Sequence, residues 1–73
     1  MEFDYSKLKG LITEKYGSQR DFAKALKRDD TYVSRYLTGN ARFTQAIIAL
    51  WVEALDIAIA DIGLYFFTPK VDS

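Results

Sequence analysis

Gln19-Arg20-Asp21-Phe22-Ala23-Lys24-Ala25-Leu26-Lys27-Arg28-Asp29-Asp30-Thr31-Tyr32-Val33-Ser34-Arg35-Tyr36-Leu37-Thr38 is the stretch that decides the fold of this chain. Phe22, Ala23 and Leu26 fall on one helical stripe, and Val33, Tyr36 and Leu37 fall on another. Between them lies a polar turn, Lys27-Arg28-Asp29-Asp30. Ser18 opens Ser18-Gln19-Arg20-Asp21, close to a capping box with Asp in place of Glu. Asp29 or Asp30 can cap the second helix. Two short helices joined by a turn of about three to four residues form a helix-turn-helix unit. Such helices cross closely and need a small residue at their contact, which Ala23 supplies. Phe22, Leu26, Val33 and Tyr36 make the apolar wedge that sets the crossing angle. Lys27 stands where the turn usually has glycine, and a positive φ there costs a lysine about 1 kcal/mol or more.

Working outward, the punctuation stays helical. Asp4 can cap a first helix over residues 5 to 16, with Leu8, Leu11 and Ile12 on one face. Gly17 sits where a helix ends on a left-handed residue. On the other side Gly39 ends the second helix of the unit, and residues 38 to 43 form a loop. Thr44 caps a fourth helix, Gln45 to Leu55. Its apolar set, Ile47, Ile48, Leu50, Trp51, Ala54 and Leu55, is wide enough for contact on two sides, and Trp51 reads as core. A short fifth helix around Ile59 to Ile62 ends at Gly63. Leu64 to Pro69 reads as an extended aromatic tail, because the residue before a proline is biased away from helix. The expected fold class is all-α: a compact bundle of four to five short helices, with residues 1–67 as one domain and 68–73 as a C-terminal tail.

Composition bounds the chemistry. A chain of 73 residues fits one domain and buries only about 60% of its unfolded surface. With no cysteine and no histidine, a disulfide framework, a Cys-based zinc site and His-based catalysis are excluded. No nucleophile–base pair, phosphate-cradling glycine loop or hydrolase motif is present, so the expectation is a non-enzyme with no cofactor and no small-molecule substrate. The adjacent Asp29 and Asp30 have no third ligand nearby, so no metal is expected. A hydrophobic content of 49% is too high for a disordered chain. No apolar run approaches the ~18 residues that span a bilayer, and the acidic start lacks the basic region of a signal peptide. A small cytoplasmic domain is expected.

Ten basic residues balance ten acidic ones, which argues against a uniformly basic nucleic-acid binder. The balance is local, however. Residues 18 to 43 carry six cations against three acids, whereas residues 44 to 73 carry one cation against four acids. Such asymmetry points to a polyanion or a partner protein at the middle segment.

Four stretches carry a resemblance: Met1 to Leu8, Phe22-Ala23-Lys24-Ala25-Leu26, Leu55-Asp56-Ile57 and Tyr65-Phe66-Phe67. With the helix-turn-helix unit they resemble the phage Cro and repressor DNA-binding domains. More narrowly, they resemble small phage Cro-like regulators that begin Met-Glu-Phe-Asp-Tyr-Ser-Lys-Leu. The resemblance implies a lambda-repressor-like fold, a homodimer on double-stranded operator DNA, and a place in the bacterial host cytoplasm, with the nucleoid. It implies that Asp30, Thr31, Ser34, Arg35 and Thr38 face the major groove. Arg35 is then the candidate for bidentate bonding to a guanine. Ser18, Gln19, Arg20, Asn40 and Arg42 would hold phosphates and set register.

Asp29 and Asp30 depart from a strong DNA reader, since carboxylates repel phosphate. One can cap the helix while the other pairs with Arg28 or a lysine. About three or four basic contacts per monomer would give weak, salt-sensitive binding, so specific binding would need a dimer. Two readings stay open. The first is a sequence-specific Cro-like repressor that occludes a promoter. The second is a protein-binding modulator on the same fold, an antirepressor or co-repressor that binds the cognate phage repressor. The neutral total and the two acids favour the second, and the basic middle segment favours the first. In the tail, either Phe66 folds onto the core while Tyr65 and Phe67 cover a helix, or Tyr65, Phe66 and Phe67 form a dimer or partner interface.

Overall fold

The computed structural model describes residues 3 to 70. In chain order the helices are α1 (Ser6–Tyr16), α2 (Gln19–Ala25), α3 (Asp30–Leu37), α4 (Gln45–Leu55) and α5 (Ile62–Phe66), with a 3-10 turn, Ile59–Asp61, leading into α5. The class is all-α; among the described residues the one sheet-like contact is an isolated antiparallel bridge between Phe3 and Pro69.

Local side chains start the helices by accepting from backbone N–H groups that have no helical partner. Ser18 accepts from the Asp21 N–H at 3.1 Å, Asp29 from Tyr32 at 3.0 Å and Thr44 from Ile47 at 3.2 Å. Asp4 acts one step outside α1. Its Oδ1 accepts from the Ser6 N–H at 2.8 Å, and Tyr5 takes the cap position without a side-chain bond.

Helix ends follow the same local logic. Gly17 ends α1 at φ 89°. At the end of α2, the Arg28 N–H reaches the Ala23 carbonyl at 2.8 Å and the Lys27 N–H reaches Lys24 at 3.0 Å. This double closure needs a left-handed residue between, and Lys27 takes it at φ 60°. The end of α4 repeats it: Ile57 bonds to Val52 at 3.0 Å and Asp56 to Glu53 at 3.3 Å, with Asp56 left-handed at φ 54°.

Every helix contributes to one core: Leu8 and Ile12 from α1, Phe22 and Ala23 from α2, Val33 and Leu37 from α3, Trp51 and Leu55 from α4, and Phe66 from α5. Trp51 is at its centre, with Phe22 and Phe43 each meeting it edge-on at centroid distances of 5.1 and 5.0 Å. In the expected wedge Phe22 and Val33 are buried, while Leu26 and Tyr36 are half-buried and pack from outside. The Tyr16 hydroxyl donates to the Ala54 carbonyl at 2.6 Å and ties α1 to α4.

The extended reading of the tail is corrected. Leu64, Tyr65 and Phe66 are helical, and Gly63 lies inside α5, accepting from the Phe67 N–H at 3.0 Å. The restraint imposed by Pro69 reaches only Thr68. What decides the segment is burial of Phe66, which is 1% exposed and meets Phe43 edge-on at 5.1 Å. The next residues turn back to the start of the chain, where the Asp4 N–H donates to the Thr68 carbonyl at 2.7 Å. Of the expected tail, 68–73, residues 71–73 lie outside the described residues.

Candidate functional site

α2 and α3 pack against each other, with Ala23 buried in the core and Lys27 taking the left-handed position between the helices. That leaves the outer face of α3 exposed. Asp30, Thr31, Ser34, Arg35 and Thr38, the expected readout set, line one shallow basin of about 240 Å³. Asn40 joins them, although its expected role was at a phosphate. The backbone explains why: the Ala41 N–H bonds to the Arg35 carbonyl at 3.0 Å, and Gly39 turns at φ 84°, so the chain folds back over the end of α3.

Not every group in the basin is free. The Thr38 hydroxyl donates back to the Ser34 carbonyl at 2.8 Å and accepts from Asn40 Nδ2 at 3.2 Å. Its proton is committed to the helix end. Arg35, Thr31 and Asp30 are exposed and present the cation, the hydroxyl and the carboxylate of the basin. Asp29 lies beside them as the cap of α3. Arg28 pairs with the face of Tyr32, its guanidinium carbon 5.3 Å from the ring centroid. The mouth of the basin thus presents both charge signs.

The five expected phosphate contacts do not gather in one place. Ser18, Gln19 and Arg20 stand at the start of α2, where the Ser18 oxygen already accepts from Asp21. Asn40 belongs to the basin, and Arg42 lines a separate groove of about 990 Å³. That groove runs between residues 3 to 6, residues 66 to 70 and the loop before α4. Lys9 and Lys70 join Arg42 there, with Asp4, Tyr5 and Phe43 along the walls. Hydrogen bonds from the Ser6 hydroxyl and N–H hold the Asp4 carboxyl below the usual aspartate value, against some desolvation and with help from Lys70 and Lys9. Burial raises the Tyr5 phenol above its usual value.

The tail aromatics divide. Phe66 is core, which removes it from any interface. Tyr65 is half-buried against that core. Phe67 is 48% exposed and meets Phe3 edge-on at 5.7 Å. Sequence reasoning missed Phe43 and the groove beside it. Phe43 sits alone in a loop with no periodicity, yet it touches Tyr5, Tyr36, Trp51 and Phe66. Among the described residues no cluster of acids could hold a metal ion, and no helix is long and apolar enough to cross a membrane.

A family model described as "Protein of unknown function (DUF739)" matches residues 1–69. The chain belongs to that family. Among solved structures it is similar to the solution structure of the modulator of repression (MOR) of the temperate bacteriophage TP901-1 from Lactococcus lactis. The two are 39% identical with a TM-score of 0.81, and the match covers 99% of this chain and 97% of that one. No curated protein matches the chain. The likeness is thus to a phage regulator, and it favours the modulator reading over that of a Cro-like DNA-binding repressor.

Proposed function

We propose that this chain modulates a phage repressor by binding that protein, and that it does so without catalysis or a cofactor. The observation that carries the reading is the 39% identity, over nearly the whole of both chains, to a modulator of repression. The α3 face is consistent with it. Asp29 and Asp30 open the helix with two carboxylates at the end where a DNA reader would approach phosphate. The basin beyond them offers a carboxylate, hydroxyls, an amide and a guanidinium. A protein surface carries donors, acceptors and both charge signs, whereas a phosphate backbone offers only acceptors.

The test uses the purified full chain, the repressor from the same phage, and operator DNA. The chain alone should leave operator mobility unchanged at low salt. With the repressor it should form a complex by calorimetry and change the repressor's own shift. Arg35→Ala should weaken that complex without altering the helical content. The DNA-reading alternative draws on the exposed Arg35 and the basic middle segment. It would be upheld by a salt-sensitive operator shift from the chain alone, removed by Arg35→Ala.

A further inference from the structure

α4 carries more apolar surface than the core uses. Nine of its 11 residues are apolar, yet only Trp51 and Leu55 are buried. A helix apolar on all sides is normally enclosed. Ala46, Ala49 and Leu50 are instead exposed, and their i, i+3, i+4 spacing puts them on one stripe, with the exposed Glu53 at i+7. Leu50 is 40% exposed, and Ile59, just beyond the end of the helix, is 87% exposed. Single exposed apolar side chains are ordinary surface. A line of them along one helix marks an interaction surface.

Charge says what fits there. From Phe43 to Pro69 the chain has Glu53, Asp56 and Asp61 and no lysine or arginine. All three acids are exposed. A second copy of this face would bring no lysine or arginine to answer these acids. An apolar strip with an acidic edge is complementary to a helix whose apolar stripe is flanked by Lys or Arg. We propose that the strip formed by Ala46, Ala49 and Leu50, with Glu53 and Asp56 towards its C-terminal end, docks a basic amphipathic helix of another protein. This surface shares no residue with the α3 basin, so the proposal stands or falls separately from repressor binding there.

Two synthetic helical peptides test it on the full chain. One carries Leu at i, i+3, i+4 and i+7 with flanking Lys; its twin carries Glu in place of Lys. The Lys peptide should shift the backbone amide resonances of Ala46, Ala49, Leu50 and Glu53, and added salt should weaken it. Glu53→Lys should weaken it about tenfold. Leu50→Gln should weaken it with the charge unchanged. Both positions are exposed, so circular dichroism should show the fold retained. Four outcomes overturn the proposal: no binding of the Lys peptide, equal binding of the Glu twin, shifts confined to α3, or shifts that grow with protein concentration alone. The last would assign the strip to a second copy of the chain.

Discussion

Lys27 holds the left-handed position between α2 and α3 at φ 60°. Glycine takes that conformation without a Cβ penalty, so Lys27→Gly should raise the unfolding free energy by about 1 kcal/mol, read from urea denaturation. Asp29 and Asp30 are neighbours with different tasks. Asp29 accepts the Tyr32 N–H at 3.0 Å and starts α3, while Asp30 stands exposed in the basin. Arg28, which with the lysines was the expected partner of the second acid, lies over the Tyr32 ring. The hydroxyl of Tyr32 is buried, with no hydrogen-bond partner among the described residues. A buried donor left unpaired costs about 1 to 3 kcal/mol. Tyr32→Phe should therefore stabilise the chain, by about 1 kcal/mol, and raise its melting temperature; a loss of stability would show that the hydroxyl has a partner in solution.

At the scale of the elements, α1 to α4 were legible because their ends are chemically local. Ser18, Asp29 and Thr44 are caps, and Gly17 is a stop; each acts within three or four residues of itself. α5 was not legible. Gly63 reads as a stop, but it is helical because Phe66 finds a buried place across the molecule. Phe43 is the other half of that contact, and nothing near it in the chain marks it as core. Phe43→Ala would open the space between Trp51 and Phe66. Its ring is only half-buried, so the expected cost is about 2 kcal/mol, somewhat below that of a fully enclosed aromatic. Urea titration of the variant measures it. The α3 basin was legible in its membership, because residues 30, 31, 34, 35 and 38 fall on one helical face. Asn40 was placed elsewhere, because the turn at Gly39 brings it back.

At the scale of the whole molecule, Phe3 and Asp4 pair with Pro69 and Thr68. Asp4 and Tyr5 lie there, beside Lys9 and Lys70, and both titrate away from their usual values. Asp4 is held low, so its contribution is complete above the ordinary aspartate value of about 3.9 and is lost as pH falls through its depressed folded value. Tyr5 is raised, so its contribution is complete below the ordinary tyrosine value of about 10 and is lost as pH rises through the raised folded value. Stability should therefore fall at both extremes of pH, and Asp4→Asn should flatten the acid side alone in a series of melting curves. Charge, too, belongs to this scale. The total of zero resolves into a basic middle and an acidic, base-free stretch from Phe43 to Pro69. The sequence by itself determined the all-α class, the helix starts and the face of α3, because caps and helical period act over a few residues. Only the tertiary structure decided that Phe43 and Phe66 join the core, that Phe3 and Asp4 pair with Pro69 and Thr68, and that the α4 stripe stays uncovered. Those outcomes depend on which distant surfaces find room to pack, and no local pattern encodes that.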